Sequence, residues 1–356
     1  MNKKLIALGV AAVLTAPLAA QAGVEVYGQA RASIDLMNNN TTVAGDEDSA
    51  ITLSSNYSRL GFKGDEDLGN GLTALWQIEQ DFDIDTGETF THSRDTFIGL
   101  GGGFGTVLAG KLSTPYRAAT TALDPFHDTA GDHNAIIGSL NGSGLYSWND
   151  ENRASNAIAY MSPNMSGFSA SVAYILASAA PGGDDNLPMG SDDSEEDAYS
   201  LAGNYSNGPI FVTAGYESWS ALGVGGDDAS AWKIGGSYTL MEATTLGAIW
   251  ESLDAGGSNG ERDAWSLSAK HKMGDNTLMA AYSMADEAGG VTDSGASQFS
   301  IGVSRNLSAA TEVYALYSTV ANDDFGNYGL DNRSGAVAGE DMSAFSFGIN
   351  HKFSSK

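Results

Sequence analysis

The feature that most constrains this chain is an alternation of apolar with polar or small residues, which recurs through most of its length. In the first such segment, VEVYGQARASIDL, one set of alternate positions is apolar and the other is mostly polar. Successive side chains of a β-strand point to opposite faces, so a period of two predicts strands with one apolar face. Sixteen segments of this kind lie between Val24 and Phe353. Most approach the ~9–11 residues of a tilted strand that spans a bilayer.

The first 22 residues follow a different pattern. Two lysines precede a short apolar run at 5–20, and a small-residue motif, Ala20-Gln21-Ala22, follows. This order is typical of a cleaved secretory signal peptide. We therefore expect a signal peptide at 1–22 and a barrel domain at 23–356. After Ala22 no run approaches the ~20 apolar residues that a membrane-spanning helix needs, so any membrane role must use strands.

The connections between the segments also alternate in length. Tight turns such as Gly274-Asp275-Asn276 are followed by long Gly- and Asp-rich loops such as 221–229. Short turns at one rim and long loops at the other are typical of outer-membrane barrels. A soluble β-sandwich is the alternative, but it rarely has this many strands in one domain. The sequence therefore predicts an all-β fold, a sixteen-stranded antiparallel transmembrane β-barrel, whose closure leaves no unpaired sheet edge.

One long stretch, 113–152, does not alternate. It is too long for a hairpin loop, since most connections in compact domains are short. It combines large apolar side chains such as Phe126 with the acids Asp124, Asp128 and Asp132. A loop of this composition needs a surface that is packed on one side and wet on the other. The interior of a wide, water-filled barrel is such a surface, so we expect this loop to fold inward.

Composition excludes several other classes of function. A net charge of -27 argues against nucleic-acid binding, and the lack of cysteine excludes disulfide and thiol chemistry. The glycine run at 101–105 opens no helix, so it is a turn and not a nucleotide loop. No nucleophile motif is present, which predicts a protein that is not an enzyme and has no cofactor. His127, His133 and the acidic run 192–197 lack metal-site spacing, and we expect no metal.

Several stretches resemble the Gram-negative general diffusion porins, in particular the neisserial and proteobacterial group. They are SRLGFKGDEDLGNGLTALWQIE, RDTFIGLGGGFGTVLAGK, RASNAIAYMSPNMSGF and FSFGINHKF, and they occur in the family's order and spacing. The resemblance implies a sixteen-stranded barrel, a homotrimer, and a third extracellular loop that folds inward at 113–152. Such porins usually end on the aromatic residue of the last strand, whereas Ser354, Ser355 and Lys356 follow Phe353 here.

The few basic residues are candidates for the pore lining. A charge facing lipid at the bilayer midplane costs ~2–4 kcal/mol, so strand charges should face the lumen. The resemblance places Arg59, Arg94 and Arg153 where family members have pore-lining arginines. For Arg31 and Lys111 a solvated place at the barrel rim is an equal alternative. A basic wall opposite the acids of the long loop would form a transverse field. The expected lining and constriction residues are Arg31, Arg59, Lys63, Arg94, Lys111, Arg153, Asp124, Asp128 and Asp132.

These features predict an outer-membrane channel for passive diffusion of ions and small hydrophilic solutes. The alternative is an outer-membrane barrel that acts as an adhesin or surface enzyme through its long loops. The expected partners are two further copies of the chain, outer-membrane lipid, lipopolysaccharide and the outer-membrane assembly machinery. The acidic loops favour cations at the channel mouth and the basic wall favours anions. From sequence alone the balance leans weakly towards cations.

Overall fold

A computed structural model describes residues 23–39, 49–140, 143–144, 153–176, 197–220, 228–256, 260–330 and 336–356. The signal peptide expected at 1–22 and the acidic run at 192–196 lie outside these residues. No helix among the described residues is long and apolar enough to cross a membrane. The strands are β1 Glu25–Asn38, β2 Ser49–Ser55, β3 Arg59–Gly69, β4 Leu72–Phe82, β5 Thr89–Ser93, β6 Thr96–Gly102, β7 Gly105–Leu112, β8 Ser139–Leu140, β9 Ser143–Gly144, β10 Ala154–Met161, β11 Phe168–Ile175, β12 Ala198–Asn207, β13 Ile210–Trp219, β14 Ala229–Leu240, β15 Thr244–Asp254, β16 Glu261–Met273, β17 Asn276–Ala285, β18 Ala296–Asn306, β19 Thr311–Asn322 and β20 Met342–Ser354.

All of these strands except β8 and β9 belong to one closed antiparallel sheet. β2 and β3 both pair with β1, and β5 and β6 both pair with β4, so the barrel has sixteen strand positions. The first and last strands pair over twelve residue pairs, from Tyr27↔Ser354 to Asn38↔Ser343. This closure satisfies the backbone groups of both edge strands, as a bilayer requires. The predicted fold class is confirmed.

The two faces of the strands differ as the alternation predicted. On β20 the side chains of Phe345, Phe347 and Ile349 are exposed on the outside, while Ser346 and Asn350 are buried on the inside. Turns at one rim are short, and the turn between β16 and β17 uses Gly274 in a left-handed conformation (φ 62°) that favours glycine. The chain leaves β7 for the long 113–152 connection at the opposite rim.

One strand departs from the simple alternation for a tertiary reason. On β19 the inward positions carry Tyr314 and Leu316, although the lumen side of a porin-like wall should be polar. Both are buried in a cluster with Phe126 and Ile136 of the 113–152 loop. Because the loop covers this part of the wall, the inner face of β19 is a protein core and not a wet surface.

The register of β20 can be tested by labelling, because the chain contains no cysteine. Ser346 lies against Asp35, and a side chain at position 348 would clash with Tyr314, so neither suits a label on the lumen side. We therefore choose Phe347→Cys for the outer face and Lys352→Cys, at the inward parity of β20, for the lumen. A spin label at 347 should be relaxed by oxygen, which partitions into lipid, and not by a water-soluble nickel chelate. A label at 352 should respond to the chelate, and the opposite pattern would contradict the register.

Candidate pore constriction

The described part of the 113–152 loop enters the barrel, as predicted. After β7 the chain forms a short helix, α1 Pro115–Ala119, and then 3₁₀ turns at Thr121–Leu123 and His133–Ala135. Thr114 caps α1 by accepting a hydrogen bond from the backbone N–H of Arg117 at 3.3 Å. The helix lies against the inner faces of β12 and β13. It is too short to give a helical period, which is why the alternation analysis did not predict it.

Polar side chains of the wall bind the loop backbone at successive places. Ser200 of β12 accepts a hydrogen bond from the N–H of Tyr116 at 2.9 Å. Further along, Ser268 of β16 donates to the carbonyl of Leu123 at 2.7 Å. On β18, Ser300 and Gln298 donate to the carbonyls of Gly131 and Asp132, both at 3.1 Å. The small polar residues of the inward face therefore fix the path of the loop across the lumen.

A buried carboxylate on β15 binds the loop at two places. The two oxygens of Glu251 accept hydrogen bonds from the Tyr116 hydroxyl at 2.8 Å and the Gly138 N–H at 2.7 Å. Arg262 of β16 lies 3.3 Å from Glu251 and donates to the carbonyls of Ile136 and Ser139. Glu251 and Arg262 are both fully buried, so their charges depend on each other and on the loop. The sequence analysis missed this pair, although Glu251, a charged residue within a predicted strand, was a signal for it.

Two of the three predicted loop acids are not in contact with the lumen. Asp124 accepts hydrogen bonds from the N–H groups of Phe126 and His133, at 2.8 and 3.0 Å. Asp132 accepts from the N–H groups of Asn134 and Asp128, at 2.9 and 2.8 Å. Backbone amides replace the water that these carboxylates were expected to need, and both side chains are buried. Burial, together with the adjoining Asp132 carboxylate, raises the pKa of Asp124 well above its ordinary value.

Asp124 and Asp132 also approach His127. Potential ligand atoms of these three residues lie within 4.8 Å of one another. All four carboxylate oxygens already accept backbone hydrogen bonds that brace the turn. We therefore assign the two acids a structural role, and the expected lack of a metal remains a prediction.

The third acid, Asp128, faces the basic wall. Its Oδ2 lies 3.5 Å from Arg31 Nη1 of β1 and 3.4 Å from Arg59 Nη1 of β3. Arg31 also donates to the backbone carbonyls of His127 and Asp128, at 2.7 and 3.1 Å. Burial alone would raise the pKa of Asp128, but His127, Arg59, Arg31 and Arg94 together lower it below its usual range. Asp128 therefore stays ionised and holds the loop against this wall.

The guanidinium groups of Arg94 and Arg153 are more deeply placed than expected. Arg94, between β5 and β6, binds Glu79 at 2.8 Å and Asp81 at 3.1 Å and is buried. Arg153 lies 3.5 Å from Asp95 and is also buried. Glu79 and Asp81 lie at the polar positions of β4, but the sequence analysis did not identify them as partners of an arginine. Much of the positive charge at this side is thus compensated within the wall.

The two predicted lysines lie on different faces. Lys63 of β3 points inward, 3.7 Å from Glu25 and 4.6 Å above the ring of Tyr27. Lys111 of β7 shares the parity of Val107 and Ala109, whose side chains are exposed on the outer face. The pairing of β7 with β6 is continuous through Lys111, so alternate residues stay on the same face. This register places Lys111 on the outer face, whereas a position in the lumen was expected. We therefore leave Lys111 out of the proposed pore lining.

A closed barrel, lipid-facing outer residues and an inserted loop braced against a charged wall together define a membrane channel. Residues 7–325 match the Gram-negative porin family, and the chain belongs to this family. Outer membrane porin protein 32 of Delftia acidovorans is 30% identical over 368 residues, which cover 99% of this chain and 100% of that protein. Major outer membrane protein P.IB of Neisseria sicca is 36% identical over 214 residues, which cover 59% of this chain and 56% of that one.

A solved structure supports the same assignment. The anion-selective porin from Comamonas acidovorans superposes with a TM-score of 0.77 at 27% identity, covering 94% of this chain and 100% of that one. The protein is accordingly an outer-membrane porin, which forms a water-filled channel for passive diffusion. The matches are to channels and give no support to the adhesin alternative.

The Glu251 attachment can be tested with a variant of nearly the same shape. Glu251→Gln leaves the buried Arg262 without a compensating charge, and removal of one partner of such a pair typically costs about 3–5 kcal/mol. The barrel sheet has many other contacts, so we expect the loop to loosen before the barrel unfolds. Single-channel recordings should show frequent conductance sublevels that the wild type lacks. Glu242→Gln, which changes an exposed carboxylate in the turn between β14 and β15, is the control, and steady currents from both variants would contradict this role.

Proposed function

We propose that the charge selectivity of this porin is set where the inserted loop meets the basic wall, and that the channel prefers anions. The observation that carries the proposal is the arrangement of charge at that place. Asp124 and Asp132 are turned into the loop, and Asp128 is neutralised by Arg31 and Arg59. Cationic side chains of this wall still reach water: Arg59, beside Asp128, is 24% exposed, and Lys63, which is paired with Glu25, is 31% exposed.

The constriction should outweigh the acidic loops at the mouth. A narrow passage with low-dielectric walls focuses the field of its charges, whereas charges at a wide mouth are screened within about 8–10 Å by salt. The net charge of -27 therefore concentrates cations outside the channel without deciding which ion passes. The similarity to a porin described as anion-selective supports the same sign. This preference replaces the weak cation preference expected from sequence alone.

Arg59→Glu tests the selectivity. The variant replaces the most exposed guanidinium of the constriction with a carboxylate, so the charge at position 59 changes sign. This carboxylate lies beside that of Asp128. In a salt gradient across a planar bilayer, the reversal potential should move from the anion side towards the cation side. Arg305→Glu, on the outer face at the rim of β18, is the matched control and should leave the reversal potential unchanged. An unchanged reversal potential in an open Arg59→Glu channel would contradict the proposal that the constriction sets the charge selectivity.

We also infer that three copies of the chain assemble in the outer membrane. Large apolar side chains such as Ile51, Ile98 and Phe347 cover the outer face, and they need either lipid or a second barrel against them. The family resemblance favours a homotrimer, with lipopolysaccharide on the outer leaflet and the assembly machinery acting on the last strand. The phenylalanines that face outward on β20 are aromatic side chains that this machinery can contact.

The trimer has a simple test. Extraction in a mild detergent should give a particle three times the mass of the chain, which boiling converts to a monomer. Light scattering measures the mass, and gel mobility before and after heating reports the conversion. A monodisperse monomer in several mild detergents, with native strand content by circular dichroism, would contradict the assembly.

A further inference from the structure

One titratable side chain in the constriction has a position that the proposed function does not use. His127 is 31% exposed, whereas Phe126 before it and Asp128 after it are buried. Because the loop lies inside the barrel, this exposure is towards the water of the lumen. Of the five histidines in the chain, His127 is therefore the one placed beside the ion-paired Arg31, Arg59 and Asp128 in the described constriction.

Both ring nitrogens of His127 face carboxylates. Nδ1 lies 3.2 Å from Oδ2 of Asp132, and Nε2 lies 3.5 Å from Oδ1 of Asp128. A protonated imidazole carries a hydrogen on each nitrogen and can donate in both directions, whereas a neutral ring carries only one. The surroundings therefore accommodate the charged ring without any change in the loop.

The backbone that carries the ring is also held in place. Arg31 binds the carbonyl of His127 at 2.7 Å, which ties the loop to β1 at this residue. Three carboxylates of the loop surround the ring, those of Asp124, Asp128 and Asp132. Two arginines of the wall contact Asp128, Arg31 from β1 and Arg59 from β3. Arg94, in the connection between β5 and β6, also stabilises the charge of Asp128. Asp128 is compensated by the arginines, so the charge state of His127 changes the net charge that a passing ion meets.

We propose that His127 is a specificity-determining residue of this channel, and that its protonation raises the preference for anions. The inference rests on the proposed function, because it assumes that the constriction sets the selectivity. An ordinary imidazole titrates near pH 6.5, within the range in which most carboxylates remain ionised. Protonation adds one positive charge next to Arg59. At roughly 7 Å through water, one unit charge changes the local concentration of a monovalent ion about two- to threefold.

The experiment measures reversal potentials of the full-length channel in neutral phosphatidylcholine bilayers under a potassium chloride gradient, from about pH 9.5 to about pH 5.5, a range wide enough for an imidazole with two adjacent carboxylates. The wild type should become about two- to threefold more anion-preferring as the pH falls. His127→Gln should keep the high-pH value throughout, and His127→Lys should keep the low-pH value throughout. The glutamine represents the neutral state of the ring and the lysine represents the charged state. The result therefore does not depend on the folding of a single variant.

Two further histidine variants separate this residue from the others. His271→Gln removes a rim histidine whose Nδ1 lies 2.8 Å from the Thr244 hydroxyl, and His133→Gln removes the buried histidine of the loop. Both should retain the wild-type pH dependence. The proposal is overturned if the wild type shows no pH dependence, or if the dependence persists in open His127→Gln channels. A cation-preferring channel whose potential still follows His127 would contradict the proposed anion preference and leave the role of His127 intact.

Discussion

A bilayer offers no hydrogen-bond partners to the backbone, and the rest of this structure depends on that constraint. The pairing of β1 with β20 satisfies the last two sheet edges, so the chain can cross the membrane with strands alone. Closure at sixteen positions leaves an interior too wide for the wall side chains to fill by themselves. The lumen therefore contains water, and an inserted loop can narrow it.

The inserted loop is held by contacts that suit such an interior. On one side Phe126 and Ile136 pack against the apolar inner face of β19, and on the other Asp128 meets Arg31 and Arg59. The buried pair of Glu251 and Arg262 adds directional bonds to the loop backbone. Buried ion pairs contribute little to net stability, but they can select one arrangement. We infer that this pair specifies the position of the loop more than it stabilises the barrel.

The net charge that an ion meets in the channel depends on how the charged side chains are paired, and not on how many there are. The chain is strongly acidic overall, yet the acids in the constriction are used as hydrogen-bond acceptors or as partners of arginines. Arg94 is similarly compensated by Glu79 and Asp81. Around Asp128, Arg59 and His127 are the partly exposed groups, so one substitution or one proton there should change the selectivity.

Local sequence determined the strands, their inward and outward faces, the closed barrel and the entry of the 113–152 loop, because a period of two and a membrane environment leave few other solutions. The parity of Arg31, Arg59 and Lys63 followed from the same rule. Only the tertiary structure decided that Asp124 and Asp132 brace a turn, that Glu251 anchors the loop, and that the loop covers Tyr314 and Leu316 on the inner face of β19. These features depend on which segments meet across the lumen. Alternation along one strand contains no information about contacts between residues more than a hundred positions apart, such as Tyr116 and Glu251.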